Sequence, residues 1–85
     1  MKTHKIYKVV VRFACEDTPN YDYVTLYKRG KIPVVAISDA LYEVNHLTGI
    51  LADNLDVVSL ELMFESNDES ELIKEYLQFS HELKN

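Results

Sequence analysis

The sequence predicts an α+β fold in which a mainly antiparallel sheet carries two helices packed on one face. Apolar and polar residues alternate over several short segments, which is typical of half-buried strands. In two other segments apolar residues recur every three to four positions, which indicates helices. The chain has 85 residues, of which 47% are hydrophobic and 27% charged, with two glycines and two prolines. This composition favours one compact domain spanning residues 1–85.

The first two predicted strands form a hairpin over residues 6–15 and 21–28, with a turn at residues 16–20. Three tyrosines share one side of the second strand. A five-residue loop would place these tyrosines on the core face of the sheet. A loop with an even number of residues would place them on the outer face with Lys8 and Arg12, because a one-residue slip reverses every side chain. The sequence leaves both registers open.

A third strand is predicted at residues 32–37, which are apolar on both sides and follow a two-residue turn that contains Gly30. Pro33 has no N–H group, so this strand would begin at an edge or at a bulge. Ser38 is a suitable N-cap for a short helix that ends at Gly49.

The fourth predicted strand covers residues 56–65 and alternates between apolar and polar positions. Its inward-facing residues are Val58, Leu60, Leu62 and Phe64. Ser66 and Glu69 have the spacing of a capping box, which predicts a helix extending to about residue 83. The predicted order is therefore β-β-β-α-β-α, with the fourth strand pairing with either the first or the third.

The charges are divided unequally along the chain. The net charge is −5, from nine basic against fourteen acidic residues. Residues 1–31 hold seven bases against three acids, and residues 32–85 hold two bases against eleven acids. We expect the acidic half to carry a partner-binding surface, whose carboxylates are Asp53, Asp56, Glu61, Glu65, Asp68, Glu69, Glu71 and Glu75.

A rigid row of carboxylates can occupy a positive cleft that otherwise holds phosphates. We therefore expect a non-enzymatic protein that binds or inhibits a larger protein stoichiometrically, the partner being basic or handling nucleic acid. A phage-type anti-defence factor, such as an anti-CRISPR or anti-restriction protein, would use a surface of this kind. We also expect a homodimer, because a small sheet leaves open strand edges or a tyrosine-bearing face to be covered.

An alternative function is a single-stranded RNA- or DNA-binding module. Exposed tyrosines can stack on unpaired bases while basic side chains contact phosphates. The residues of this alternative face are Lys8, Arg12, Tyr21, Tyr23, Tyr27, Lys28 and Arg29. A net charge of −5 opposes broad nucleic-acid affinity, so direct binding is the less favoured hypothesis.

No motif in the sequence predicts a catalytic residue, a metal ligand or a cofactor. Cys15 lies on the apolar side of its predicted strand, where an inert thiol is favoured over a nucleophile paired with His46. The spacing from Asp53 to Asp56 lacks the further ligands of a calcium loop. The three histidines are isolated in the sequence, so a zinc site is not expected.

The single cysteine excludes an intramolecular disulfide and favours a reducing, cytoplasmic location. The basic first residues are followed by no apolar stretch, so we expect no secretory signal. No apolar run approaches the ~18 residues of a membrane span, and we expect no membrane partner.

Overall fold

The computed structural model describes residues 3–14 and 20–83. Its elements are β1 (His4–Ala14), β2 (Tyr21–Gly30), α1 (Pro33–Thr48), a short 3₁₀ turn (Ala52–Asn54), β3 (Leu55–Ser66) and α2 (Glu69–Leu83). The three strands are antiparallel neighbours in the order β2-β1-β3, so β1 is central. The prediction of an α+β fold with an antiparallel sheet and two helices is confirmed.

The predicted third strand is wrong, because residues 32–37 begin α1 instead. Pro33 occupies the first helical position, where its fixed φ suits a helix and its missing N–H costs no hydrogen bond. Ser38, the predicted N-cap, therefore lies inside the helix. The predicted end is confirmed, since Gly49 caps α1 with a φ of 76° and donates its N–H to Asn45.

The register of the β1–β2 hairpin agrees with the loop of even length, one of the two alternatives that the sequence leaves open. Ala14 lies opposite Tyr21, so the connection has the even length of six residues, 15–20. Tyr23 consequently lies opposite Arg12, and Tyr27 lies opposite Lys8. The tyrosines therefore share a face with these two bases. Cys15 and most of the predicted turn lie outside the described residues.

The main core lies between α1 and one face of the sheet. Val9 and Val11 of β1 are fully buried there, and Leu26 of β2 joins them. The helix contributes Ala36 and Ala40, which are also fully buried, together with Val44 at the same spacing. Small side chains at two of these positions allow the helix backbone to approach the sheet closely.

The second helix covers the opposite face of the sheet. Tyr27 stacks on Phe79 of α2, with ring centroids 4.8 Å apart, and Ile6 is fully buried while Leu72 is 3% exposed. Tyr27 and Ile6 alternate with the residues that pack against α1, so they lie on the other face. The expectation that both helices pack on one face is thus wrong. The physical reason is that β1 buries consecutive residues, Ile6 and Tyr7, and each face then needs its own cover.

Two irregularities in the pairing of β1 with β3 change which side chains share a face. The register shifts between Ile6 and Tyr7 and again between Val10 and Val11. Met63 and Val58 are the extra β3 residues at these two places, which makes each a β-bulge. The predicted inward set is therefore divided: Leu60 and Leu62 lie on the α1 face, and Phe64 lies opposite Ile6 on the α2 face.

We predict that Ile6→Ala lowers the free energy of unfolding by about 3 kcal/mol, because it leaves a cavity under α2. The matched control is Ile73→Ala, since Ile73 is 40% exposed on α2, and it should cost about 1 kcal/mol or less. Urea denaturation measures both changes. Equal losses for the two variants would contradict the burial of Ile6 between β1 and α2.

Candidate functional site

Seven of the eight predicted carboxylates fall into two groups, and the eighth, Asp53, lies in the 3₁₀ turn. Three of them lie on β3, and two of these three form salt bridges with β1. Arg12 donates from Nη2 to Oδ2 of Asp56 at 3.0 Å, and Lys5 Nζ lies 3.6 Å from Oε2 of Glu65. Glu61 lies opposite Lys8 in the strand register. The bulge at residue 63 places Glu65 on the other face from the rest, so these three carboxylates do not form one row.

Four more carboxylates lie on or just before α2, where Asp68 is the N-cap residue. Asp68 Oδ1 accepts hydrogen bonds from the N–H of Ser70 at 3.0 Å and from its hydroxyl at 2.7 Å. The Asp68 carbonyl accepts the N–H of Leu72. The predicted capping box is therefore wrong in detail: Ser66 accepts the N–H of Asp68 and donates to Glu71 at 3.3 Å, and it does not cap the helix itself.

The N-cap position explains the charge state of Asp68. Its hydrogen bonds from Ser70 hold the pKa of the Asp68 carboxyl below its ordinary value, since they favour the ionised form. The positive end of the helix dipole also favours negative charge at this position. Asp68 and the neighbouring Glu69 and Glu71 are all exposed. We call these three residues the acidic turn.

Most basic residues of the predicted nucleic-acid face contact other side chains of the same chain. Lys28 lies on the α1 face of the sheet and donates to Oε1 of Glu43 at 2.9 Å. Arg29 lies over the ring of Tyr76 at 5.1 Å from its centroid. The salt bridges seen in the described part of the chain include those of Glu43, Asp56 and Glu65. None of these involves the acidic turn, although Glu69 lines a cleft together with the bases Lys5, Arg29 and Lys31.

Arg12 is held on two sides by its neighbours. Its guanidinium lies 4.5 Å from the ring centroid of Tyr21, and the hydrogen bond to Asp56 raises the pKa of Arg12 above its ordinary value. Its Nε is buried and has no hydrogen-bond partner. Tyr21 and Tyr23 remain 51% and 61% exposed, whereas Tyr27 is covered by α2. Of the predicted nucleic-acid face, Tyr21, Tyr23 and Arg29 therefore remain exposed. Lys8 is half-buried, and Arg12 is paired with Asp56.

Large apolar side chains are exposed on several elements, and the sequence patterns did not predict them. Tyr42 of α1 is 73% exposed and stacks parallel to His46, with ring centroids 6.3 Å apart. On β3, Leu60 is 37% and Leu62 is 50% exposed. Tyr42 could have been identified from the sequence only after residues 33–48 were recognised as one helix. These exposed groups are spread over several elements, and apolar residues exposed singly are common on protein surfaces.

The remaining predictions concern metals and catalysis. Within residues 3–14 and 20–83, no group of three or more His, Cys, Asp or Glu residues is arranged to hold a metal ion. Asp53 and Asp56 line an open cleft beside Tyr21 without forming such a group. His46 contacts Tyr42, and the position of Cys15 lies outside the described residues. No helix in the described part of the chain is long and apolar enough to cross a membrane.

No family model matches the chain, and no curated protein or solved structure matches it either. The fold and surface together define a three-stranded α+β protein with a helix on each face, an acidic turn and exposed apolar groups.

We predict that Ser70→Ala raises the pKa of Asp68 towards its ordinary value, because the hydroxyl hydrogen bond to the carboxylate is lost. A lowered pKa means that ionised Asp68 stabilises the fold above its unfolded pKa, and this contribution is lost as the pH falls through the folded pKa. Carboxyl carbon NMR titration measures the change. Ser80→Ala is the matched control on the same helix, and identical Asp68 titration in both variants would contradict the capping role.

Proposed function

We propose that this chain is a small non-catalytic protein that binds a larger protein stoichiometrically through its acidic turn. The partner carries a basic surface of the kind that nucleic-acid-handling proteins present. Phage-type inhibition of a host defence enzyme, in the manner of an anti-CRISPR or anti-restriction factor, is the setting that fits this chemistry. A cytoplasmic location, expected from the single cysteine, belongs to the same proposal.

The observation that supports this proposal is the group of three exposed carboxylates of the acidic turn, Asp68, Glu69 and Glu71. They lie at the start of one helix, which fixes their relative positions, and no salt bridge within residues 3–14 and 20–83 involves them. The hydrogen bonds from Ser70 lower the pKa of Asp68 and so favour its ionised form further. A fixed group of negative charges attracts a basic cleft at long range and orients the encounter.

Within this proposal, we expect only some of the eight predicted carboxylates to attract the partner. Asp56 and Glu65 have their charges compensated by Arg12 and Lys5, so they contribute less to the external field. Glu61 lies near Lys8 on the sheet, and Asp53 lies in the 3₁₀ turn after α1. Electrostatic attraction should therefore be concentrated at α2.

We predict that Glu69→Gln/Glu71→Gln weakens binding to the partner about tenfold, which corresponds to about 1.4 kcal/mol. The partner is first captured from the native host with the wild-type chain as bait and then purified. Isothermal titration at low and high salt measures the affinity, which should fall with salt for the wild-type chain. Asp39→Asn is the control, since Asp39 is an exposed carboxylate on α1. Equal affinity of wild type and the double variant would refute a role for the acidic turn.

The alternative function, binding of single-stranded nucleic acid, has a narrower basis. Its support is the exposed pair Tyr21 and Tyr23 beside Arg12, since aromatic rings next to a guanidinium can stack on bases. Against it, Arg12 is paired with Asp56, and Lys28 is paired with Glu43.

We predict no saturable binding of a labelled single-stranded RNA in low salt, where phosphate attraction is strongest. Fluorescence anisotropy measures this, with Tyr23→Ala as the companion variant. Saturable binding by the wild-type chain that is lost in Tyr23→Ala would favour the nucleic-acid function over protein binding.

A further inference from the structure

We propose that the outer edge of β2 pairs with the same edge of a second copy of this chain, which gives a two-fold homodimer with a continuous six-stranded sheet. In the described sheet β2 pairs only with β1, so its other edge presents unpaired backbone N–H and C=O groups. The β1–β2 pairing has no bulge along its length, so this edge is regular. This inference goes beyond the proposed function, because self-association needs no other partner.

The sequence of β2 is complementary to itself when it is read in the antiparallel direction. With the two-fold axis at Thr25, Asp22 lies opposite Lys28 of the second copy, and Tyr23 lies opposite its Tyr27. The same register places Tyr21 opposite Arg29, Val24 opposite Leu26, and Thr25 opposite Thr25. Opposite charges, aromatic pairs and paired threonines are the directly opposed combinations that stabilise antiparallel strands.

This register is distinguished from its neighbours by charge. A two-fold axis perpendicular to the sheet keeps each face continuous, so the register can change only in steps of two residues. An axis at Val24 would place Asp22 opposite Leu26, and an axis at Leu26 would place Lys28 opposite Val24. The axis at Thr25 opposes the two charges directly. Lys28 can keep its hydrogen bond to Glu43 there, because an ammonium group has three donors.

The other edge of the sheet, on β3, is unsuited to self-pairing. This strand contains three acids, Asp56, Glu61 and Glu65, and no base, so no antiparallel register can oppose unlike charges. It also contains the bulges at Val58 and Met63. Charged side chains and bulges are the features that keep an edge strand from pairing with another chain. Of the two edges, only that of β2 is free of bulges, and its charged residues include both signs.

The helices beside β2 are placed to continue the same interface. Strands are spaced about 4.8 Å apart, so two α1 helices that each lie over β1 and β2 would be about 10 Å apart across the axis. That distance is within the range of directly packed helices. Tyr42 and His46 are close in sequence to Glu43, which accepts a hydrogen bond from Lys28 of β2, and the cleft that they line includes residues of β1, β2 and α2.

Disulfide trapping tests both the partner and the register. In a Cys15→Ser background, Thr25→Cys should form a covalent dimer on mild oxidation, because directly opposed strand residues have Cα atoms about 4.5–5.5 Å apart. Tyr23→Cys is the offset control, since its two copies would lie about 14 Å apart along the strands. Leu60→Cys reports on the β3 edge. Non-reducing electrophoresis measures the dimer yield, and cross-linking through Leu60→Cys but not Thr25→Cys would overturn the proposal.

Charge exchange gives an independent test on the purified chain. Asp22→Lys should raise the dissociation constant of the dimer about tenfold, because two like-charged pairs replace two attractive ones. Lys28→Glu/Glu43→Lys should weaken self-association similarly, while it preserves an opposite-charge pair within the chain. A mixture of the two variants should form heterodimers, in which every exchanged pair is attractive again. Sedimentation equilibrium measures the dissociation constant of each variant and of their mixture.

The wild-type chain provides the decisive control, because its fold does not depend on any substitution. Sedimentation should show a dimer at high micromolar concentration. A monomer at that concentration would overturn the proposal, as would an unchanged dimer in both charge variants. Neither outcome bears on the acidic turn, whose test is the affinity for a different protein.

Discussion

The burial of β1 on both of its faces determines the rest of the structure. Ile6 and Tyr7 are consecutive and both buried, so their side chains enter opposite layers. One layer is completed by α1, with small residues at the contact, and the other by α2. The strands on either side of β1 pair with its backbone N–H and C=O groups through hydrogen bonds. Each face is only partly covered by the same chain. The surfaces left for other molecules are the two sheet edges, the helix ends and the uncovered parts of the faces, where Tyr23 and Leu62 are exposed.

Pairing across the sheet explains why the uneven distribution of charge in the sequence does not become an equally uneven surface. The basic N-terminal strand lies beside the acidic third strand, and Arg12 and Lys5 find carboxylates there. Lys28 is compensated in the same way by a residue of α1. Exposed ion pairs of this kind contribute little to stability, about 0–1 kcal/mol each. Their larger effect is to reduce the contribution of Glu43, Asp56 and Glu65 to the external charge, to which the helix-capping carboxylates still contribute.

Local patterns in the sequence predicted the strands and the second helix, because each pattern depends only on neighbouring residues. The beginning of α1 was missed, since residues 32–37 are β-branched enough to resemble a strand. The helical signal there comes from Ala36 and Ala40, whose low hydrophobicity makes the four-residue spacing inconspicuous. The bulges in β3 and the pairing of Arg12 with Asp56 depend on register between distant strands. For that reason the sequence identified the candidate acids without showing which of them are compensated.

The two edges of the sheet differ in a way that links the charge distribution to assembly. Acids and bulges protect β3 from strand addition, while β2 carries one acid and two bases arranged symmetrically with aromatic residues between them. Opposite charges at matching positions of a reversed copy favour a closed dimer over an open chain of subunits, because the two-fold contact uses the same patch on both copies. Such a dimer would present two acidic turns. Two linked copies of a weak electrostatic contact bind a repeated or symmetric basic partner more tightly than either copy alone.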